Sequence, residues 1–143
     1  MRVSAKAEYA CIAMLELAAT YAEPQPVRLK DIADAHGIPQ RFLVQILLQL
    51  KGAGLVASTR GASGGYQLAR APDKISLAEV VNLIDRAPAP RPAPVASPRS
   101  PLVQAVRGVW KTVQKEEQRL LQDISLADLV RQAEQTHALS YQI

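Results

Sequence analysis

The sequence predicts a mainly α-helical fold with one small β-hairpin: a winged helix-turn-helix domain followed by a long C-terminal dimerisation helix. Three observations predict it. Apolar residues recur at helical spacing up to about Lys51 and again beyond Pro101. A short alternating stretch around Gly61, Gly64 and Gly65 breaks that period and reads as a glycine-tipped hairpin. Ala, Leu and Val carry most of the apolar content, with aromatics at only 4%, a composition that favours helices.

Taken in order, Ala7, Ala10, Cys11, Met14, Leu15 and Ala18 place a first helix over Ala5 to Tyr21, closed by Pro24 and Pro26. A short second helix runs from Leu29 to about His36, with Gly37 placed to stop it. Ile38-Pro39 opens a third, to Lys51, because proline is tolerated in a first turn; its apolar face is Phe42, Leu43, Ile46, Leu47 and Leu50. Leu55 to Thr59 and Tyr66 to Ala69 are the strand candidates. Ser76-Leu77-Ala78-Glu79 fits a capping box that starts a fourth helix to about Asp85. Beyond Pro101, Leu102, Val106, Val109, Val113, Leu120 and Ile124 step by three, four or seven, giving a helix of about 30–35 Å. Ser125-Leu126-Ala127-Asp128 starts a last short helix that reaches about Thr136.

Six of the ten prolines lie between Ala87 and Pro101, so that stretch is neither helix nor central strand. It divides the chain into a winged helix-turn-helix block (1–86), a Pro-rich linker (87–101) and a dimerisation part (102–143). A long apolar-striped helix outside a small domain lacks the surface to cover itself. The stripe Leu102, Val106, Val109, Trp110, Val113 and Leu120 therefore implies a partner helix, most simply from a second copy.

Several function classes fall away on composition. The 143 residues suit one domain, and 17 basic against 13 acidic residues suit a polyanion partner. The single Cys11 excludes an intramolecular disulfide framework, a four-cysteine zinc site and an all-cysteine iron–sulfur cluster built from one chain. On the apolar face of its helix, Cys11 reads as a small buried hydrophobe. His36 and His137 show no metal-ligand spacing, so neither a metal nor a cofactor is expected. No nucleophile–base or paired-carboxylate pattern stands out, and the glycine loop lacks the Gly-Lys-Ser/Thr of a nucleotide site; no enzyme is expected. The longest uncharged apolar stretch, Phe42 to Leu50, has nine residues, short of the roughly 20 that span a membrane. The expectation is a cytoplasmic chain without a membrane partner.

Two short helices joined by a glycine turn and followed by a hairpin form the constellation that reads double-stranded DNA, the second helix of the pair entering the major groove. Charge placement agrees. Between Asp34 and Asp73 there is no acid, while Arg41, Lys51, Arg60 and Arg70 fall inside the interval. Gln40, Arg41 and Phe42 form the first turn of the third helix and Gln45 follows. Gln and Arg can make bidentate contacts to adenine and guanine.

Ile38-Pro39, Phe42-Leu43, Gln45-Ile46-Leu47 and Ala53-Gly54-Leu55-Val56 lead into Arg60-Gly61, then Gly64-Gly65-Tyr66. This ordered run closely resembles the Rrf family of bacterial transcription regulators, of the IscR, NsrR and CymR type. Ser4, Lys6 and Glu8-Tyr9-Ala10, the pair Val109-Trp110, and Ile124-Ser125-Leu126-Ala127-Asp128-Leu129 match as well. The resemblance implies a homodimeric regulator, a repressor rather than an activator, on a partly palindromic operator. It implies that Arg60 reaches the minor groove from a wing that also holds Ser63 and Tyr66. Gly61, Gly64 and Gly65 would let the backbone approach phosphates, and Arg28 would contact a phosphate. Gln40, Arg41, Phe42 and Gln45 would lie at the major groove.

Two departures qualify it. Val44 stands where several relatives carry glutamate, which removes an acceptor for cytosine, so operator preference does not transfer. Cluster-binding relatives place three cysteines before the long helix; here that interval has none, so a cluster of the usual kind is not expected. The alternative reading is a protein-interaction module or partner-controlled regulator whose winged helix binds another protein. An effector or partner protein of unidentified nature stays open in either case.

Overall fold

The computed structural model describes residues 2–85 and 99–142. Most of the Pro-rich linker lies outside the described residues. Helix α1 (Ala5–Ala19) starts where Ser4 accepts a hydrogen bond from the Ala7 amide at 3.0 Å, satisfying a first-turn donor. Asp85 fixes that cap from the far end of the domain, accepting from both the amide and the hydroxyl of Ser4. The buried side of α1 is mostly alanine (Ala7, Ala10, Ala13, Ala18) with Met14 and Leu17, so neighbouring helices pack close to its backbone.

Helix α2 (Leu29–His36) ends on Gly37 in the left-handed conformation, φ 68°. The Gly37 and Ile38 amides both donate to Ala33, the Ile38 bond at 3.0 Å, and buried Ile38 completes the turn. Helix α3 (Gln40–Gly52) follows, with Pro39 as the cap residue rather than inside the first turn. Leu43, Ile46, Leu47 and Leu50 are fully buried. Phe42, expected on that apolar face, is 40% exposed, because at 100° per residue it falls beside the face and not within it.

Strands β1 (Val56–Thr59) and β2 (Gly65–Leu68) pair antiparallel, Val56 opposite Leu68 and Thr59 opposite Gly65. Val27, just before α2, adds a third edge. Its amide donates to Tyr66 at 2.9 Å, and the Tyr66 amide donates back at 2.7 Å. A 3-10 turn over Pro72–Lys74 leads to α4 (Leu77–Ile84), capped by the Ser76 hydroxyl on the Glu79 amide.

Helix α5 (Pro101–Asp123) runs 23 residues and buries none of them. Its C-terminal half lies beside α4, where Asn82 donates to Gln118 at 3.0 Å. The chain then crosses the start of α4. Leu77 donates to Ile124 at 2.9 Å and Leu126 donates to Ile75 at 3.0 Å, a two-bond bridge centred on Ser76 and Ser125. Ser125 and Asp128 cap helix α6 (Leu126–Gln142) reciprocally. These bonds from Ser125 hold the Asp128 carboxyl below its usual range. Helix α6 is longer than the short helix expected, since no proline or glycine follows Thr136 to end it. It returns to α1, and Leu126, fully buried, joins the core of the first block with Val130 packed against it.

Candidate nucleic-acid interface

The core decides what α3 shows to solvent. With Leu43, Ile46, Leu47 and Leu50 inside, Gln40, Arg41, Phe42, Val44, Gln45, Leu48 and Gln49 are exposed. Arg41 lays its guanidinium over the Phe42 ring, 4.9 Å from the centroid, which orients the charge while leaving it exposed. The hairpin begins soon after α3 ends: the Leu55 amide closes on Leu50 at 3.0 Å, and β1 leaves from there. At its tip, Arg60, Gly61, Ala62 and Ser63 are all exposed.

The wing is held from inside the molecule. A Cβ at Gly64 would stand 2.2 Å from the Thr59 carbonyl oxygen, and one at Gly65 would stand 2.4 Å from that of Val27. Both are backbone contacts with no room to yield, so the close approach these two glycines permit is to their own chain. Gly61, with φ 107° and open space around it, carries the left-handed turn. Tyr66 is half-buried against the core. Arg28, at the cap of α2, donates to the carbonyl of Ala62, so it ties the wing tip to the helix pair.

The acid-free interval holds four basic side chains, and they differ in availability. Arg41, Lys51 and Arg60 are exposed and form no ion pair among the described residues, whereas Arg70 pairs with Glu79 of α4. His36 bonds through Nε2 to Glu16 at 3.0 Å and joins the end of α2 to α1. Sequence reasoning missed the Val27 edge, the Arg28–Ala62 tie and the Arg70–Glu79 pair. Each links residues nine or more positions apart, and no periodicity signals such a contact.

The residues present do not fit an iron–sulfur cluster. Cys11 is the one cysteine of the chain, and burial, then the charges of Asp85 and Glu8, push its thiol up to about 11, opposite to what a thiolate ligand requires. Among the described residues no group of three or more His, Cys, Asp or Glu is placed to hold a metal ion. Among the same residues no helix is long and apolar enough to cross a membrane.

Comparison with known proteins bears on this arrangement. Residues 3–132 match the Rrf2 family, described as an iron-dependent transcriptional regulator. Rv1287 of Mycobacterium tuberculosis, an HTH-type regulator by name, is 41% identical over 138 residues, covering 90% of this chain and 81% of that one. The transcriptional regulator CymR of Bacillus subtilis is 33% identical over 129 residues, covering 90% and 89%. Among solved structures, that of CymR, the global cysteine regulator of B. subtilis, superposes with a TM-score of 0.79 at 31% identity, covering 92% of this chain and 97% of that one. That of IscR from T. potens gives 0.77 at 34%, covering 95% and 90%.

Proposed function

This chain belongs to the Rrf2 family and is a DNA-binding transcription regulator; from that premise we propose that it acts as a homodimeric repressor on a partly palindromic operator, without an iron–sulfur cluster. The observation that carries the reading is the exposure of Gln40, Arg41 and Gln45 on α3 together with Arg60 in the wing, inside a stretch with no acidic residue. Direct readout falls to α3, one copy per half-site, with Gln and Arg at base edges. Arg60 enters the adjacent minor groove, flanked by Gly61 and Ser63 at the tip. Gly64, Gly65 and Tyr66 hold the wing in place, and Arg28 positions it through Ala62.

The dimer forms along α5. Leu102, Val106, Val109, Trp110, Val113 and Leu120 are between 46% and 80% exposed on one stripe, more apolar surface than a lone helix leaves to water. In this division residues 1–86 read DNA and 102–143 join the two copies. A gel-shift titration against the DNA flanking the chain's own gene tests the reading. Binding should weaken with salt as counterions are released. Arg60→Ala should cost about 1–3 kcal/mol, the scale of one good base contact. Arg28→Ala should weaken binding through the loss of the phosphate contact expected of this exposed guanidinium and of its hold on the wing tip at Ala62. Undiminished binding by Arg60→Ala would count against the wing.

A further inference from the structure

The reading face of α3 carries two aliphatic side chains that neither the core nor the contacts above absorb. Val44 is 43% and Leu48 61% exposed. Four residues apart, they lie one above the other on the helix, flanked by Arg41 and Gln45 on the same side. The fully buried Leu43, Ile46, Leu47 and Leu50 fix the rotation of α3, so the helix cannot turn this pair inward.

In the major groove each base-pair edge is a row of donors and acceptors, with one apolar exception, the C5-methyl of thymine. An aliphatic side chain set against a G·C edge strips water from those polar groups and returns no hydrogen bond. Against a thymine methyl the same side chain buries apolar surface on both partners. Resting on the DNA-reading function above, we propose that Val44 is a specificity-determining residue that packs on a thymine C5-methyl in each half-site. Leu48 continues the apolar contact one turn further along the helix. Each half-site then carries a thymine beside the purines read by Arg41 and Gln45.

The test uses the full chain and duplexes selected with it from a randomised library. In the selected half-site each thymine is replaced in turn by deoxyuridine, which removes the methyl and leaves every hydrogen-bonding group unchanged. One position should lose about fourfold in affinity per half-site, the worth of a single buried methyl. Val44→Ala should bind the thymine and uracil duplexes alike, and because Val44 lies outside the core its circular dichroism should match the parent. Equal binding of every uracil duplex by the parent chain, or undiminished discrimination in Val44→Ala, overturns the assignment. Failure to select any duplex overturns the DNA-reading function itself, a separate result.

Discussion

An alanine at Gly65 tests whether contact with Val27 sets the position of the wing. The new Cβ would stand 2.4 Å from the Val27 carbonyl oxygen and 2.6 Å from its carbonyl carbon, both backbone atoms that cannot swing aside. Relief requires β2 to move off Val27, which breaks the two hydrogen bonds joining Val27 and Tyr66 at 2.9 and 2.7 Å. At about 0.5–1.5 kcal/mol each, their loss destabilises the domain by about 1–3 kcal/mol. The same substitution at Gly108 supplies the contrast. That glycine lies inside α5 with nothing within 4 Å of a built Cβ, so Gly108→Ala should stabilise by about 0.4–1 kcal/mol as the glycine penalty in a helix disappears. Urea denaturation followed by circular dichroism, at one fixed protein concentration, should give midpoint shifts of opposite sign with unchanged slopes. Operator affinity should fall only for Gly65→Ala. A Gly65→Ala midpoint at or above that of the parent chain would refute the reasoning, because the wing would then not need Val27.

Three further outcomes follow from burial and charge. Leu126→Ala removes a fully buried side chain at the root of α6 and should cost about 2–5 kcal/mol, read as a lowered thermal midpoint. Trp110→Asp alters a side chain on a residue 60% exposed in the single chain; sedimentation should show the dimer giving way to a folded monomer. Cys11, raised to about 11, should react far more slowly with iodoacetamide at pH 8 than a free thiol does. Its folded value exceeds the ordinary 9.0, so the stability it contributes is complete below that value and lost as pH rises to about 11. Cys11→Ala should flatten the denaturation midpoint across that window.

Local chemistry made most of the helices and the hairpin legible in the sequence. Ser76 and Ser125 each cap the helix their pattern announces, and Gly37 adopts the left-handed stop that its position suggests. The exposed faces of α3 and α5 follow from the spacing of buried leucines and the apolar stripe. What stayed hidden is long-range. Nothing near Arg28 indicates that its guanidinium meets Ala62, and nothing near Gly65 indicates that its missing side chain makes room for Val27. Phe42 shows the limit of reading by hydrophobicity alone: an aromatic next to Leu43 looks like core, yet one step around the helix leaves it under Arg41. The return of α6 to α1 likewise depends on surface that only the assembled domain presents.

The bridge between Ser76 and Ser125 also bears on the order in which the molecule opens. It joins strands of chain separated by about 50 residues, so its two bonds form only after a large loop has closed, at an entropy cost that nearer contacts escape. The packing of α1 on α4 spans more chain still, with Ser4 meeting Asp85, but fully buried side chains of both helices, Met14 and Val80 among them, hold it. Among the described residues α5 buries none and α6 buries only Leu126, so undocking the two exposes little of the core. On this view the C-terminal helices detach before the rest of the molecule unfolds, as a separate cooperative unit. The amides of Leu77 and Leu126 should therefore exchange with solvent together, and faster than those of α3.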